Sequence, residues 1–217
     1  YDGLIVTGAP LALLKYEDVK YWDTMTTILE WAQRHVNSTL YLCWAAHAAM
    51  YHFYNFTRTL RKEKFSGVFE HKVNDPHNEL LRGFDPVFYA PHSRYGHIDT
   101  ANYNSVDGLH VVAESEEVGA YIVASEDKRM VFVTGHPEYD ADTLGDEYFR
   151  DVKAGQTPSI PKNYFTDNDP TQPPIVRWRS HGSLFFTNWL NYYVYQITPH
   201  QLDADHINAI HPGKYRG

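Results

Sequence analysis

The sequence predicts an α/β fold, a doubly wound and mostly parallel sheet flanked by helices, and three observations carry that expectation. Short apolar runs ending in small residues alternate with helical patterns. Those runs are apolar at every position, as strands covered on both faces must be. The length of 217 residues fits one domain over 1–217, because hydrophobic cores split only beyond roughly 250 residues.

Gly3-Leu4-Ile5-Val6-Thr7-Gly8 reads as the first buried strand, Tyr21 to Val36 as a helix and Thr39 to Cys43 as the second strand, with another helix starting at Trp44. Such strand–helix–strand units imply parallel pairing with helices on the sheet faces. Leu109 to Ala113, Gly119 to Ser125 and Met130 to Thr134 are strand candidates at hairpin-like spacing. Helices follow near Thr143–Ala154 and Ser183–Val194. Pro158, Pro161, Pro170, Pro173 and Pro174 exclude regular helix and central strand between them, so about 155–180 reads as a long ordered loop. It is either a lid or a segment pinned to the body by Tyr164, Phe165 and Trp178.

Composition narrows the function classes. Lys+Arg 19 against Asp+Glu 27 gives a net charge of −8, which repels nucleic acid and anionic membrane surfaces. The longest apolar stretch, Tyr41 to Phe53, contains His47 and His52 and falls short of the roughly 18 to 20 residues of a membrane span. No nucleic-acid or membrane partner is expected. A single cysteine excludes an intrachain disulfide and suits a reducing compartment, so the expected location is the cytoplasm. The chain opens without Met or a signal peptide, and residue 1 is read as not being the natural start.

The chemistry centres on Cys43. It closes an apolar strand and is followed by Trp44-Ala45-Ala46-His47-Ala48-Ala49, a helix start with small side chains, which is the layout of a nucleophile elbow. The helix N-terminus there favours thiolate. A lone Cys in an apolar run also fits inert core. Gly135-His136-Pro137-Glu138 follows another strand, and in extended backbone residues i and i+2 point the same way, so Glu138 can orient the imidazole of His136. A thiol, a base and an orienting carboxylate make a triad; the alternative is a turn histidine with a solvated Glu138. His47 is a rival base, one helical turn from the elbow. Gly8-Ala9-Pro10-Leu11 ends the first strand, so the N–H of Leu11 joins that of Trp44 as a candidate oxyanion donor, Pro10 having none.

In the helix after Asp142, Leu144, Tyr148 and Val152 form an apolar face, with Glu147 and Arg150 three apart on the opposite one. They are either a surface ion pair or a site in which Arg150 grips a carboxylate and Glu147 an ammonium group. Despite 13 His, no Cys pair, His-x₃-His pair or HExxH motif is present, and no metal is expected. Phosphate loops of the GxGxxG or GxxxxGK type are absent.

Gly8-Ala9-Pro10, Cys43-Trp44-Ala45, Glu63-Lys64-Phe65-Ser66-Gly67-Val68, Ala90-Pro91-His92-Ser93-Arg94-Tyr95, Val133-Thr134-Gly135-His136-Pro137-Glu138-Tyr139-Asp140, Asn163-Tyr164-Phe165 and Trp178-Arg179-Ser180-His181-Gly182 occur in that order. Over Tyr1 to about Gln201 the sequence resembles the homoserine O-acyltransferases, or homoserine transsuccinylases, of methionine biosynthesis. The resemblance implies a class I glutamine amidotransferase-like (flavodoxin-like) fold and a missing N-terminal segment. It also implies a ping-pong reaction in which Cys43 is acylated, His136 is the base and Glu138 its partner. Lys64, Ser93 and Arg150 match substrate-contacting positions, with Glu147 beside Arg150. The position of Ala12 matches one that helps choose the acyl donor in that family, Gly going with succinyl-CoA and Glu with acetyl-CoA. Alanine leaves space and a neutral wall for a succinyl group, although its methyl also narrows the site relative to Gly.

The expected reaction is acyl transfer from succinyl-CoA or acetyl-CoA to the hydroxyl of homoserine. No permanently bound cofactor is expected, acyl-CoA being a co-substrate, and the assembly expected is a homodimer. Alternatives are a serine O-acetyltransferase on the same fold, and a glutamine amidotransferase or γ-glutamyl hydrolase. The elbow argues against the amidotransferase, because Tyr41 and Ala45 stand where that group usually has glycines.

Overall fold

A computed structural model describes residues 1–198; the remainder of the predicted domain, 199–217, lies outside the described residues. Seven strands form one sheet: β1 (Gly3–Val6), β2 (Ser38–Leu42), β3 (Thr59–Val73), β4 (Val87–His97), β5 (Leu109–Ser115), β6 (Gly119–Ser125) and β7 (Met130–Val133). Their order across the sheet is β1-β2-β7-β6-β5-β3-β4. Helices α1 (Trp22–His35), α2 (Trp44–Tyr54), α3 (Thr100–Asn104), α4 (Thr143–Lys153) and α5 (Arg179–Asn188) accompany it, the last running into a π-helical stretch, Trp189–Tyr195.

The α/β class and the helices on both faces are as the sequence predicts, and the parallel share of the sheet is smaller. Only β1, β2 and β7 pair in parallel. The pairs β6 with β7, β5 with β6, β3 with β5 and β3 with β4 are antiparallel. The difference lies in β3 and β4, which fully apolar runs do not reveal. The first part of β3 carries Arg61, Lys62 and Glu63, exposed on both sides, and the half-buried Lys64, while alternate residues of β4 are buried, as expected of strands at one margin of a sheet. At the other margin β1 pairs only with β2, so it is a half-exposed edge strand rather than a buried one, with Ile5 facing solvent.

The centre of the sheet shows why β2 and β7 are apolar throughout. Tyr41 and Phe132 stack with centroids 5.2 Å apart and face the cluster built by α1 and α2. Their neighbours Leu40, Leu42, Val131 and Val133 point to the other face, against Phe185, Trp189 and Tyr193. α2 is buried from Trp44 through Met50, and the small side chains of Ala45, Ala46, Ala48 and Ala49 let it pack closely. On α4, Leu144 is buried while Val152 is exposed, so the predicted apolar face is narrower than its sequence pattern.

The proline-rich stretch is pinned rather than a lid. Tyr164, Phe165 and Trp178 join Val68 and Leu144 in a third apolar cluster. Lys162 N–H donates to the Ser66 carbonyl at 2.9 Å, and the Lys162 carbonyl accepts from Val68 N–H at 2.8 Å. α5 starts at Arg179, four residues earlier than predicted, since no proline lies between Pro174 and the helix. Gly182 on this helix is a point of close approach, since any Cβ there would collide with the carbonyl oxygen of Pro137.

Candidate active site

The parallel strands β2 and β7 end side by side, and both candidate catalytic residues leave from those ends. Cys43 is the single residue between β2 and α2, at φ 50 and ψ −111, a conformation that L-residues rarely adopt. Its N–H donates to the Val133 carbonyl at 2.7 Å, and its carbonyl accepts from His47 N–H at 3.2 Å. The strained turn is thus fixed from both sides. It turns the side chain toward the open end of the sheet, which is the geometry the elbow pattern predicts.

His136 follows β7 by three residues and is tied to β4 by its N–H donating to the Pro91 carbonyl at 2.9 Å. Gly135 permits that approach, because a Cβ there would lie 2.7 Å from the same oxygen and 2.9 Å from the Tyr121 ring. His136 Nδ1 is 2.7 Å from Glu138 Oε1. Burial opposes a charge on this imidazole; the negative charge and hydrogen bond of Cys43, then those of Glu138, outweigh it and push His136 up to about 10. The resting imidazole is therefore cationic at neutral pH and shared between sulfur and carboxylate.

Cys43, Trp44, His136 and Glu138 line a cavity of about 620 Å³ together with Ala12, Lys64, Ser93, Glu147 and Arg150. On its α4 wall, Glu147 is the hub. Lys64 Nζ donates to Glu147 Oε2 at 2.8 Å, Ser93 Oγ donates to the same oxygen, and Tyr139 Oη donates to Oε1 at 2.6 Å. Burial works against its charge, but these bonds, led by that of Lys64, hold Glu147 below the usual carboxylate range. Arg150 does not pair with Glu147 as a helical i, i+3 partner. Its guanidinium donates to Asp151 at 2.9 and 3.0 Å and remains largely exposed at the cavity wall.

Two predicted positions need correction. Leu11 does not line the cavity, although Ala9, Pro10, Ala12 and Leu13 do. Its N–H already donates to the Ala9 carbonyl at 2.8 Å and its side chain packs against the apolar cluster, so it is not available as an oxyanion donor. Trp44 N–H, at the first position of α2, has no acceptor within the helix and stays the candidate. His47, the rival base one helical turn from the elbow, is the second. Burial pushes it well below 6.5 and keeps it neutral, yet it lines the same cavity.

Tyr139 was not singled out by sequence reasoning. Its ring stacks on His136 with centroids 4.1 Å apart while its hydroxyl holds Glu147, so it couples the Cys–His–Glu set to the Lys64–Glu147 pair. The signal was its place directly after His136-Pro137-Glu138. Arg58 and Arg94, also in the wall, carried no local signal beyond ordinary surface charge. Among the described residues no group of three His, Cys, Asp or Glu side chains is arranged to hold a metal ion, and no helix is long and apolar enough to cross a membrane.

The chain is similar to known proteins at two levels, fold and sequence. Solved structures of glutamine amidotransferases share the fold: one from Thermotoga maritima superposes with a TM-score of 0.62 at 11% identity, over 89% of this chain and 78% of its own. Another, from Methylobacillus flagellatus, has a TM-score of 0.61 at 14% identity, over 93% and 80%. In sequence, the homoserine O-succinyltransferase of Alteromonas mediterranea is 84% identical over 93% of this chain and 65% of its own length. That of Pseudoalteromonas atlantica is 70% identical over 93% and 66%. The chain thus spans just under two thirds of the length of these curated relatives. The family model for homoserine O-succinyltransferase matches residues 1–200, which contain every side chain of the cavity wall, and the chain therefore belongs to the homoserine O-succinyltransferase family.

Proposed function

We propose that this chain carries the catalytic centre of an acyltransferase that moves a succinyl group from succinyl-CoA to the side-chain hydroxyl of homoserine through a thioester on Cys43, a step of methionine biosynthesis. The observation that carries the proposal is the strained cysteine at the mouth of a cavity, facing an imidazolium held by a carboxylate.

The Cys43 thiolate attacks the thioester carbonyl, and the oxyanion that forms is stabilised by Trp44 N–H. Collapse expels the coenzyme A sulfur, which takes the proton of the His136 imidazolium. His136 is then neutral and serves as the base for the second half-reaction. It removes the proton of the homoserine hydroxyl as that oxygen attacks the acyl-Cys43 carbonyl, and the ester leaves as Cys43 returns to thiolate. Glu138 fixes the ring through Nδ1 in both directions. Glu147 receives the acceptor's ammonium group and Arg150 its carboxylate, with Ala12 as an uncharged wall on the acyl side.

A steady-state assay of the full-length protein, crossing homoserine and serine with succinyl-CoA and acetyl-CoA, tests this reading. Turnover is expected chiefly with succinyl-CoA and homoserine. Glutamine hydrolysis without any coenzyme A thioester would overturn it. In the same protein, Arg150→Ala is expected to weaken transfer to the acceptor by about 2 to 4 kcal/mol while leaving acylation of Cys43 near normal, because a charge-assisted contact is lost only in the second half-reaction. Arg150→Lys is expected to recover little, an ammonium group lacking the planar fork. Rapid-quench measurement of the two half-reactions checks both. Equal slowing of the halves would contradict the role given to Arg150.

A further inference from the structure

The cations around the cavity fall into two sets. On the α4 side each has a carboxylate, Lys64 with Glu147 and Arg150 with Asp151. Around His47 stand two guanidiniums, Arg58 and Arg94, and among the described residues neither has a carboxylate within ion-pair distance. Ser93 and Arg94 are consecutive on β4 and so point to opposite faces, which separates the two sets.

Arg94 is buried and held in place. Its Nε donates to His92 Nδ1 at 3.3 Å and its terminal nitrogens donate to the carbonyls of Gly96 and Val118, which uses three of the five N–H groups of a guanidinium. Arg58 approaches the same spot. Its Cδ and His47 Nδ1 both lie 3.2 Å from where a Cβ on Gly96 would be, while the guanidinium donates to the Leu14 carbonyl and lies 4.2 Å from the Tyr16 ring centroid. His47 Nε2 and Trp44 Nε1 are buried without any hydrogen-bond partner. This wall is rich in unanswered donors and positive charge.

A buried cation is costly unless an anion answers it. Burial works against the charge of Arg94 and pulls it down to about 10. Among the described residues no carboxylate pairs with either guanidinium. A carboxylate at the far end of an acyl group on Cys43, which lines the same cavity as both guanidiniums, would answer them.

Building on the acyl-transfer reading, we propose that Arg94, with Arg58 beside it, receives the distal carboxylate of a dicarboxylic acyl group carried on Cys43, so that this pair selects a charged four-carbon acyl donor over its uncharged counterpart. The test measures acylation of Cys43 in the full-length protein by succinyl-CoA and by butyryl-CoA, which has the same chain length with a methyl in place of the carboxylate. The unaltered protein is expected to prefer succinyl-CoA by about 100-fold or more. Arg94→Gln and Arg58→Gln are expected to lose most of that preference, with succinyl-CoA reacting about 30-fold to 100-fold more slowly and butyryl-CoA within about threefold of its original rate. Arg58 is only partly buried, so Arg58→Gln carries the test if Arg94→Gln does not fold. Equal loss with both donors in the variants, or no preference in the unaltered protein, would overturn the assignment. Acylation by neither thioester would instead overturn the acyl-transfer reading itself.

Discussion

Cys43→Ala in the full-length protein is expected to reduce acyl transfer to background, a loss of at least about 10⁴-fold in kcat, and Cys43→Ser to recover little of it. In the proposed mechanism the nucleophile is the one group for which this site has no substitute. His47 is neutral and buried, and the hydroxyls of Ser93 and Tyr139 are both committed to Glu147. The fold should survive the change, because the strained backbone at residue 43 is fixed by main-chain bonds to Val133 and His47 that alanine preserves. Far-UV circular dichroism and thermal unfolding check that point alongside the rate. Turnover within tenfold of the original in Cys43→Ala would mean that acyl-CoA and acceptor react directly, without an enzyme-bound thioester.

His136→Asn is expected to lower kcat by about 10²- to 10⁴-fold with KM nearly unchanged, since in the proposed mechanism its proton transfers occur only on the way through the two transition states. A second consequence follows from charge. The folded imidazole is raised to about 10 from its ordinary 6.5 by Cys43 and Glu138 against the effect of burial. A group raised in this way stabilises the folded state fully below pH 6.5, and that contribution fades as the pH climbs toward 10. Replacing it with asparagine should remove this part of the pH dependence of unfolding. Iodoacetamide modification of Cys43 near pH 7 should also slow by about tenfold or more, because the imidazole that would take the thiol proton is gone. Unchanged alkylation with a purely KM effect would make His136 a binding residue.

The candidate set of Cys43, His136 and Glu138 was legible because its geometry is local. An apolar strand that ends in one residue before a run of small helix formers can turn only through a strained conformation, and that residue is Cys43. His136 and Glu138 were found through the buried strand before them, but they meet across a turn closed by Tyr139 N–H on the His136 carbonyl at 3.3 Å rather than along an extended chain. Lys64, Ser93 and Ala12 were different: no local pattern marks them, and they came from the family resemblance. They meet only through the long β3–β4 hairpin and the segment after β1. That hairpin was missed because its charged half does not read as a buried run. Leu11 failed for a reason invisible in residue types, its N–H being taken by a carbonyl two residues back. The Arg150–Glu147 pairing failed because helical spacing ignores Lys64, which reaches Glu147 from another strand.

The central claim is that Cys43 carries the acyl group between donor and acceptor. The measurement that tests it most directly is peptide mass spectrometry of the full-length protein after brief exposure to succinyl-CoA without an acceptor, followed by a chase with homoserine. The expected result is one succinyl group on the peptide containing Cys43, absent in Cys43→Ala and discharged by homoserine as its O-succinyl ester. An enzyme that turns over homoserine and succinyl-CoA while its Cys43 peptide stays unmodified, or an adduct that homoserine does not discharge, would contradict it.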